Sequence, residues 1–208
     1  MARSALSTLR HCALALAVAL AANAQSNNDG EELQFSSGPF VLDGQTNMMR
    51  AQSPRITQGD LTISADDALA TGFEFDEAGE FRLTGNVRVE IDTAVMEADS
   101  AVFTFADGQL SRGELEGMPV LFSDVDAATE RSVTGRAGKI SYDNVARTLR
   151  MLGDASVQLD RREVLGCDLI YDFGAERVTS GSADCEGGFR VRVRRDSEGQ
   201  TAAPDPPQ

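Results

Sequence analysis

Few residues that carry chemistry stand where they could use it. The chain has one histidine, His11, and three cysteines, Cys12, Cys167 and Cys185. His11 and Cys12 fall in a leader that is expected to be removed, so the mature chain keeps no imidazole. That excludes a Ser-His-Asp or Cys-His nucleophile and the commonest zinc ligand. No Walker loop, dinucleotide-binding glycine fingerprint or EF-hand spacing occurs. Acids number 33, and glycoside hydrolysis needs only two carboxylates facing one cleft at about 5–9.5 Å. At that abundance a pair such as Asp66-Asp67 reads first as a solvated turn. The sequence favours a protein with no catalysis, metal or cofactor.

Two features remain. In an exported chain, Cys167 and Cys185 are an even pair and suggest a disulfide. A hairpin turning at Gly174-Ala175 sets Cys167 opposite Ser182, so a bulge must close the remaining three residues to Cys185. Two free thiols are the alternative. Arg190, Arg192 and Arg194 alternate with Val191 and Val193, and Arg195 follows. They read either as an edge strand defended by charge or as a contact for phosphate or a partner's acids.

The elements that must position these residues begin after the leader. Arg3 and Arg10, the apolar run Cys12–Leu20 and Ala22-Asn-Ala24 have the layout of a cleavable secretory signal over 1–24. The run is short of the ~20 residues of a membrane span, although an uncleaved anchor is the alternative. Export places the mature chain in the periplasm. Residues 25–38 are polar and expected to form a loose leader, and 196–208 a disordered tail. One domain over 39–195 is long enough to bury a core. A net charge of −14 argues against nucleic acid, whose binding rests on neutralising phosphate.

Within that domain two stretches repeat. Phe81-Arg-Leu-Thr-Gly85-Asn-Val-Arg-Val-Glu-Ile91 matches Leu149-Arg-Met-Leu-Gly153-Asp-Ala-Ser-Val-Gln-Leu159, 68 positions on. Alternation of apolar and polar residues describes a strand with one dry and one wet face. Repetition of such strands builds one continuous inner surface. Other predicted strands are 61–65, a run marked by Phe73 and Phe75, 95–105, one starting at Met118-Pro119, 132–142, 164–173 and 177–179. Turns are expected at Ala78-Gly79, Asp107-Gly108 and Asp143-Asn144. Small residues recur at Ala65-Asp66, Ala98-Asp99, Gly135-Arg136 and Gly166-Cys167, where a strand would bend. About a dozen short strands predict an all-β sandwich, jelly roll or solenoid-like stack with unpaired ends open to partner strands.

The chain resembles the OstA-like family of lipopolysaccharide-transport proteins, most of all its soluble periplasmic bridge component. The resemblance rests on Ile63-Ser-Ala-Asp-Asp-Ala68, Leu83-Thr-Gly-Asn-Val-Arg-Val89, Met96-Glu-Ala-Asp-Ser-Ala-Val102 and Gly117-Met-Pro-Val-Leu-Phe122. It continues through Val133-Thr-Gly-Arg-Ala-Gly-Lys-Ile-Ser-Tyr142, Leu152-Gly-Asp-Ala155 and Leu165-Gly-Cys-Asp-Leu-Ile-Tyr171. The long segment before residue 60, the two cysteines and the acidity depart from the family pattern. The resemblance implies a twisted β-jelly roll, an open-ended stack of antiparallel strands whose apolar interior holds the acyl chains of lipopolysaccharide lipid A. It also implies inner-membrane-anchored and outer-membrane OstA-like components as partners, with end-to-end self-association.

A dry groove is what an acyl chain needs. At ~0.8 kcal/mol per CH₂, exposing a twelve-carbon chain to water costs on the order of 10 kcal/mol. Candidate lining residues are Ile63, Phe73, Phe75, Phe81, Leu83, Val87, Val89, Ile91, Phe103, Ile140, Tyr142, Leu149, Met151, Val157, Leu159, Leu169 and Tyr171. Ordinary core packing explains each of them equally well. In that case the protein is an adaptor that binds partners through its strand edges.

Overall fold

The computed structural model describes residues 32–72, 78–126, 131–181, 185 and 188–194. The expected signal, residues 25–31, Phe73, Phe75, Arg195 and the tail lie outside them. Fourteen strands form a single antiparallel sheet: β1 (Gln34–Ser36), β2 (Phe40–Asp43), β3 (Met48–Gln52), β4 (Arg55–Gln58), β5 (Leu61–Ser64), β6 (Asp67–Thr71), β7 (Ala78–Ile91), β8 (Ala94–Ala106), β9 (Gln109–Asp126), β10 (Arg131–Asp143), β11 (Thr148–Leu159), β12 (Arg162–Asp172), β13 (Arg177–Ser180) and β14 (Arg190–Val193). The six long strands β7 to β12 pair in chain order as an antiparallel meander. Asp107 and Gly108 turn the chain with φ of 51° and 71°, as the two-residue turn requires.

A line of irregularities crosses the meander. Register slips between Thr84 and Val87, Glu97 and Ser100, Ala137 and Lys139, and Leu152 and Ala155. Bulges bend strands, and here they align into a crease that divides the sheet into two layers. The sheet forks at both ends along this line. β5 pairs with the C-terminal half of β7 and β6 with its N-terminal half. β14 pairs with the N-terminal half of β12 and β13 with its C-terminal half. The first layer thus runs from β1, β4 and β5 to β14, and the second from β2, β3 and β6 to β13. Folded over the crease, they form the expected unclosed β-jelly roll.

The repeat is visible in the backbone. Gly85 and Asn86 have φ of 76° and 45°, and Gly153 and Asp154 have 72° and 45°. Each pair is the bulge of its strand, and the left-handed region accepts Gly, Asn and Asp most readily. Asp66 accepts a hydrogen bond from the Asn86 amide at 2.7 Å and its backbone N–H donates to the Gly85 carbonyl at 2.9 Å. This tie sits where the chain passes from β5 in the first layer to β6 in the second.

Four expectations are corrected. Ala78-Gly79 is not a turn: both residues belong to β7, opposite Ala106 and Phe105. Pro119 does not begin a strand. It lies within β9 after a cis peptide, at the crease, where the interrupted ladder asks for no N–H. The polar segment 25–38 contains strand β1, whose Gln34–Ser36 pair with Arg55–Thr57 of β4. Asp143 is the last residue of β10, and the turn is a longer one over 144–147, in which the Ala146 N–H donates to the Asp143 carboxylate at 2.8 Å.

Candidate functional site

The space between the layers is the candidate site. One connected apolar cluster fills it. Thirteen of the residues singled out from the sequence are buried in that cluster: Ile63, Phe81, Leu83, Val87, Val89, Phe103, Ile140, Tyr142, Leu149, Met151, Val157, Leu169 and Tyr171. Ile91 and Leu159 are partly buried and pack against it. Phe73 and Phe75 lie outside the described residues.

The cluster also holds Met49, Ile56, Met96, Phe105, Leu115, Val120, Phe122 and Val133, which the alternation did not reveal. Met49 and Ile56 lie on strands of five and four residues, too short to show a period; the signal of the others is hidden by the crease. In β8 the buried positions are even before it (Ala94, Met96) and odd after it (Ala101, Phe103, Phe105). β9 switches from Leu115 to Val120 and Phe122, and β10 from Val133 and Ala137 to Ile140 and Tyr142. One extra residue at a bulge swaps the two faces of a strand.

Aromatic rings join the layers. Phe35 of β1 stacks on Phe81 at 5.8 Å. Phe122 of the first layer meets Tyr171 and Phe173 of the second at 5.5 and 6.0 Å. Burial raises the Tyr142 phenol above its ordinary titration range. Gly135 allows Met151 to cross the gap: a Cβ there would stand 3.2 Å from its terminal methyl.

The layers are staggered. β1 lies over β7, β4 over the turn between β8 and β9, and β9 over β12. Hence β2 and β3 project from the second layer at one end, and β14 with its half of β12 from the first layer at the other. Phe40 and Leu42 pair with buried Ala51 and Met49 and so share their inward side. They are nonetheless 62% and 55% exposed. At the opposite end Val191 pairs with Val164 and is 64% exposed.

Polar contacts mark the outer faces. Arg88 bridges Glu90 at 2.8 Å and Glu97 at 2.5 Å. Lys139, the only lysine, reaches Glu114 at 2.8 Å and Glu116 at 3.3 Å, and these hydrogen bonds, Glu114's first, hold its ammonium protonated beyond the usual range. Arg150 grips the buried Asp168 carboxylate with two bonds of 3.0 and 2.7 Å, which strengthens its own protonation. Arg190, Arg192 and Val193 stand on the exposed edge strand β14, and Arg192 lies 3.4 Å from Glu163. Cys167 and Cys185 are joined by a disulfide with Cα atoms 5.6 Å apart. The register behind it is the expected one, since Leu169 pairs with Ser180 and Tyr171 with Val178. Among the described residues no group of three or more His, Cys, Asp or Glu could hold a metal ion.

Comparison with known proteins gives a family and similar solved structures. Residues 70–177, more than half of the chain, match the family described as LptA/(LptD N-terminal domain) LPS transport protein. A similar solved structure is that of LptH, the LptA homologous periplasmic component of the conserved lipopolysaccharide transport device from Pseudomonas aeruginosa. The two share 11% identity with a TM-score of 0.49, over 79% of this chain and 96% of that one. Comparison with curated proteins finds no match.

Proposed function

Since the chain belongs to the LptA/(LptD N-terminal domain) LPS transport family, we propose that it is a periplasmic lipopolysaccharide carrier. The acyl chains of lipid A would lie between the two layers, and copies or relatives would meet through the projecting strands to bridge inner and outer membranes. The observation that carries this reading is the single apolar cluster that runs from Met49 and Ile56 at one end to Val157 and Leu169 at the other. Separate cores would not support continuous transfer. The projecting strands support the bridge: among the described residues β2 and β14 each pair on one side only and carry exposed apolar side chains, the form that accepts an added strand.

Full burial of Val89, Val157 and their neighbours favours a second reading. In it the interior is only a core, and the protein is an adaptor working through its edges.

Photo-crosslinking separates the two. A photoreactive residue at Val89 or Val157, in cells making lipopolysaccharide, should capture lipopolysaccharide, whereas one at outward-facing Arg88 should not. Capture only from Arg88 overturns the carrier. Capture of protein partners at Val41 or Arg192, with none of lipid at Val89 or Val157, establishes the adaptor.

A further inference from the structure

The two layers meet along an open rim opposite the crease, and polar contacts between described residues cross that rim at three places. Gln58, at the end of β4, is buried; its amide donates to the Gly108 carbonyl at 2.7 Å and accepts from the Leu110 N–H at 3.0 Å. Asp92, in the turn after β7, is 3.1 Å from Arg147, in the turn after β10. The Tyr171 hydroxyl donates to Asp124 at 3.3 Å. In each pair the first-layer member and the second-layer member come from turns or strand ends far apart in sequence. Two clefts of about 190 and 210 Å³ open beside the last two contacts, lined from the first layer by Asp124 and from the second by Phe173 or Tyr171.

The crease on the opposite side is where the hydrogen-bond ladder is already interrupted, strand after strand. An interrupted ladder bends with fewer bonds to break than a continuous one. The interior offers no comparable freedom. Phe81, Val89, Met96, Leu149 and Val157 are packed beyond reach of solvent, and a chain threading from an end would have to displace them in turn.

Building on the carrier function proposed above, we infer that the crease is a hinge and the rim a lateral entry site for acyl chains. Gln58–Gly108, Asp92–Arg147 and Asp124–Tyr171 are its latches. The rim parts, acyl chains enter sideways, and their methylenes cover the apolar surface that parting exposes. The Asp92–Arg147 latch lies in water and is easily exchanged for hydration, because exposed ion pairs gain little over their solvated state; the Gln58 and Tyr171 bonds are more buried, and water admitted by the parting rim replaces them.

The test bridges the middle latch covalently. Asp92→Cys and Arg147→Cys are introduced together in the exported protein, where Cys167 and Cys185 are consumed by their disulfide. The Arg147 and Asp92 side chains are 62% and 48% exposed, so folding should survive. One sample is joined with a short bis-maleimide and another capped with N-ethylmaleimide. Stopped-flow fluorescence then follows uptake of an environment-sensitive fluorescent fatty acid. The bridged form should load at least tenfold more slowly than the capped form. The capped form, and a Gln58→Ala variant, should load as fast as the parent or faster. Equal loading by bridged and capped forms overturns the hinge while leaving the carrier intact. No uptake by parent and capped forms alike overturns the carrier, and the hinge with it.

Discussion

Cys167 occupies, in the second copy of the repeat, the place that Asp99 occupies in the first. Each is the single residue that β12 or β8 adds at the crease, opposite Gly153-Asp154 or Gly85-Asn86. Asp99 is tied forward to the next strand by accepting the Met118 N–H at 3.1 Å. Cys167 is tied forward by its bond to Cys185, which lies 68 positions beyond Gly117 just as Cys167 lies 68 beyond Asp99. A hydrogen bond and a covalent bond therefore perform the same fastening at corresponding places.

Loss of the covalent version should be costly. Closing an 18-residue separation contributes roughly 3 kcal/mol in the chain-entropy model. Cys167→Ser and Cys185→Ser should each lower unfolding free energy by about 2–4 kcal/mol, and the double variant by no more than either. Hydrogen exchange should accelerate first in β14, whose partner strand carries Cys167. Unchanged denaturant midpoints would contradict this.

The two left-handed glycines at the crease, Gly85 and Gly153, separate strain from collision. Gly153→Ala meets no atom closer than Gly138 N at 4.0 Å, so it carries only the backbone penalty of φ 72°, about 1–2 kcal/mol. Gly85→Ala carries a similar penalty and also places its Cβ 2.5 Å from the Asp66 carboxylate. Chemical denaturation should rank Gly85→Ala as clearly worse. Restoration of part of its loss by Asp66→Ala would confirm the collision.

The Arg150–Asp168 pair is asymmetric: the side chains are 51% and 3% exposed. Arg150→Ala leaves a buried carboxylate without its cation, a change that costs about 3–5 kcal/mol. Asp168→Asn leaves a guanidinium that water can still reach, so its cost should be smaller. Urea unfolding of the two variants checks the order, and equal losses would show that packing, not charge, dominates there.

Alkaline pH should loosen the fold. Lys139 binds its proton more tightly in the folded chain than its ordinary value of 10.5 allows. That stabilisation is complete below about pH 10.5 and disappears as pH rises through the folded value. Tyr142, raised by burial from 10.0, acts in the same direction, because the unfolded chain loses its phenolic proton first. Thermal melting should hold steady from these groups up to about pH 10 and decline above it. A Lys139→Gln, Tyr142→Phe variant should decline less steeply; an identical decline would exclude both groups as the source.

The strands most legible in the sequence were β7 and β11, and the crease explains why. Each inserts two residues there, Gly85-Asn86 and Gly153-Asp154, so the odd positions stay inside from Phe81 to Val89 and from Leu149 to Val157. β8, β9 and β10 change parity midway, and the alternation of Met96, Phe105 or Phe122 was lost with it. The Asp107-Gly108 hairpin was readable because two positive φ values demand such residues. Strands β1 to β4 were not, being three to five residues long and too short to establish a period. Pro119 read as a strand start because its missing N–H has no place in a continuous ladder, and the ladder is not continuous there. The rim contacts of Gln58, Asp92 and Asp124 join distant turns, and no local pattern announces them.

The stagger of the layers gives the molecule a heading. A ledge of one layer juts out at its beginning and a ledge of the other at its finish, and unlike strands furnish them, β2 with β3 at one extremity and β14 with β12 at the other. Neighbours that overlap by fitting one kind of ledge to the other kind must all face the same way. A row laid in that manner is a one-way street, with a defined upstream and downstream.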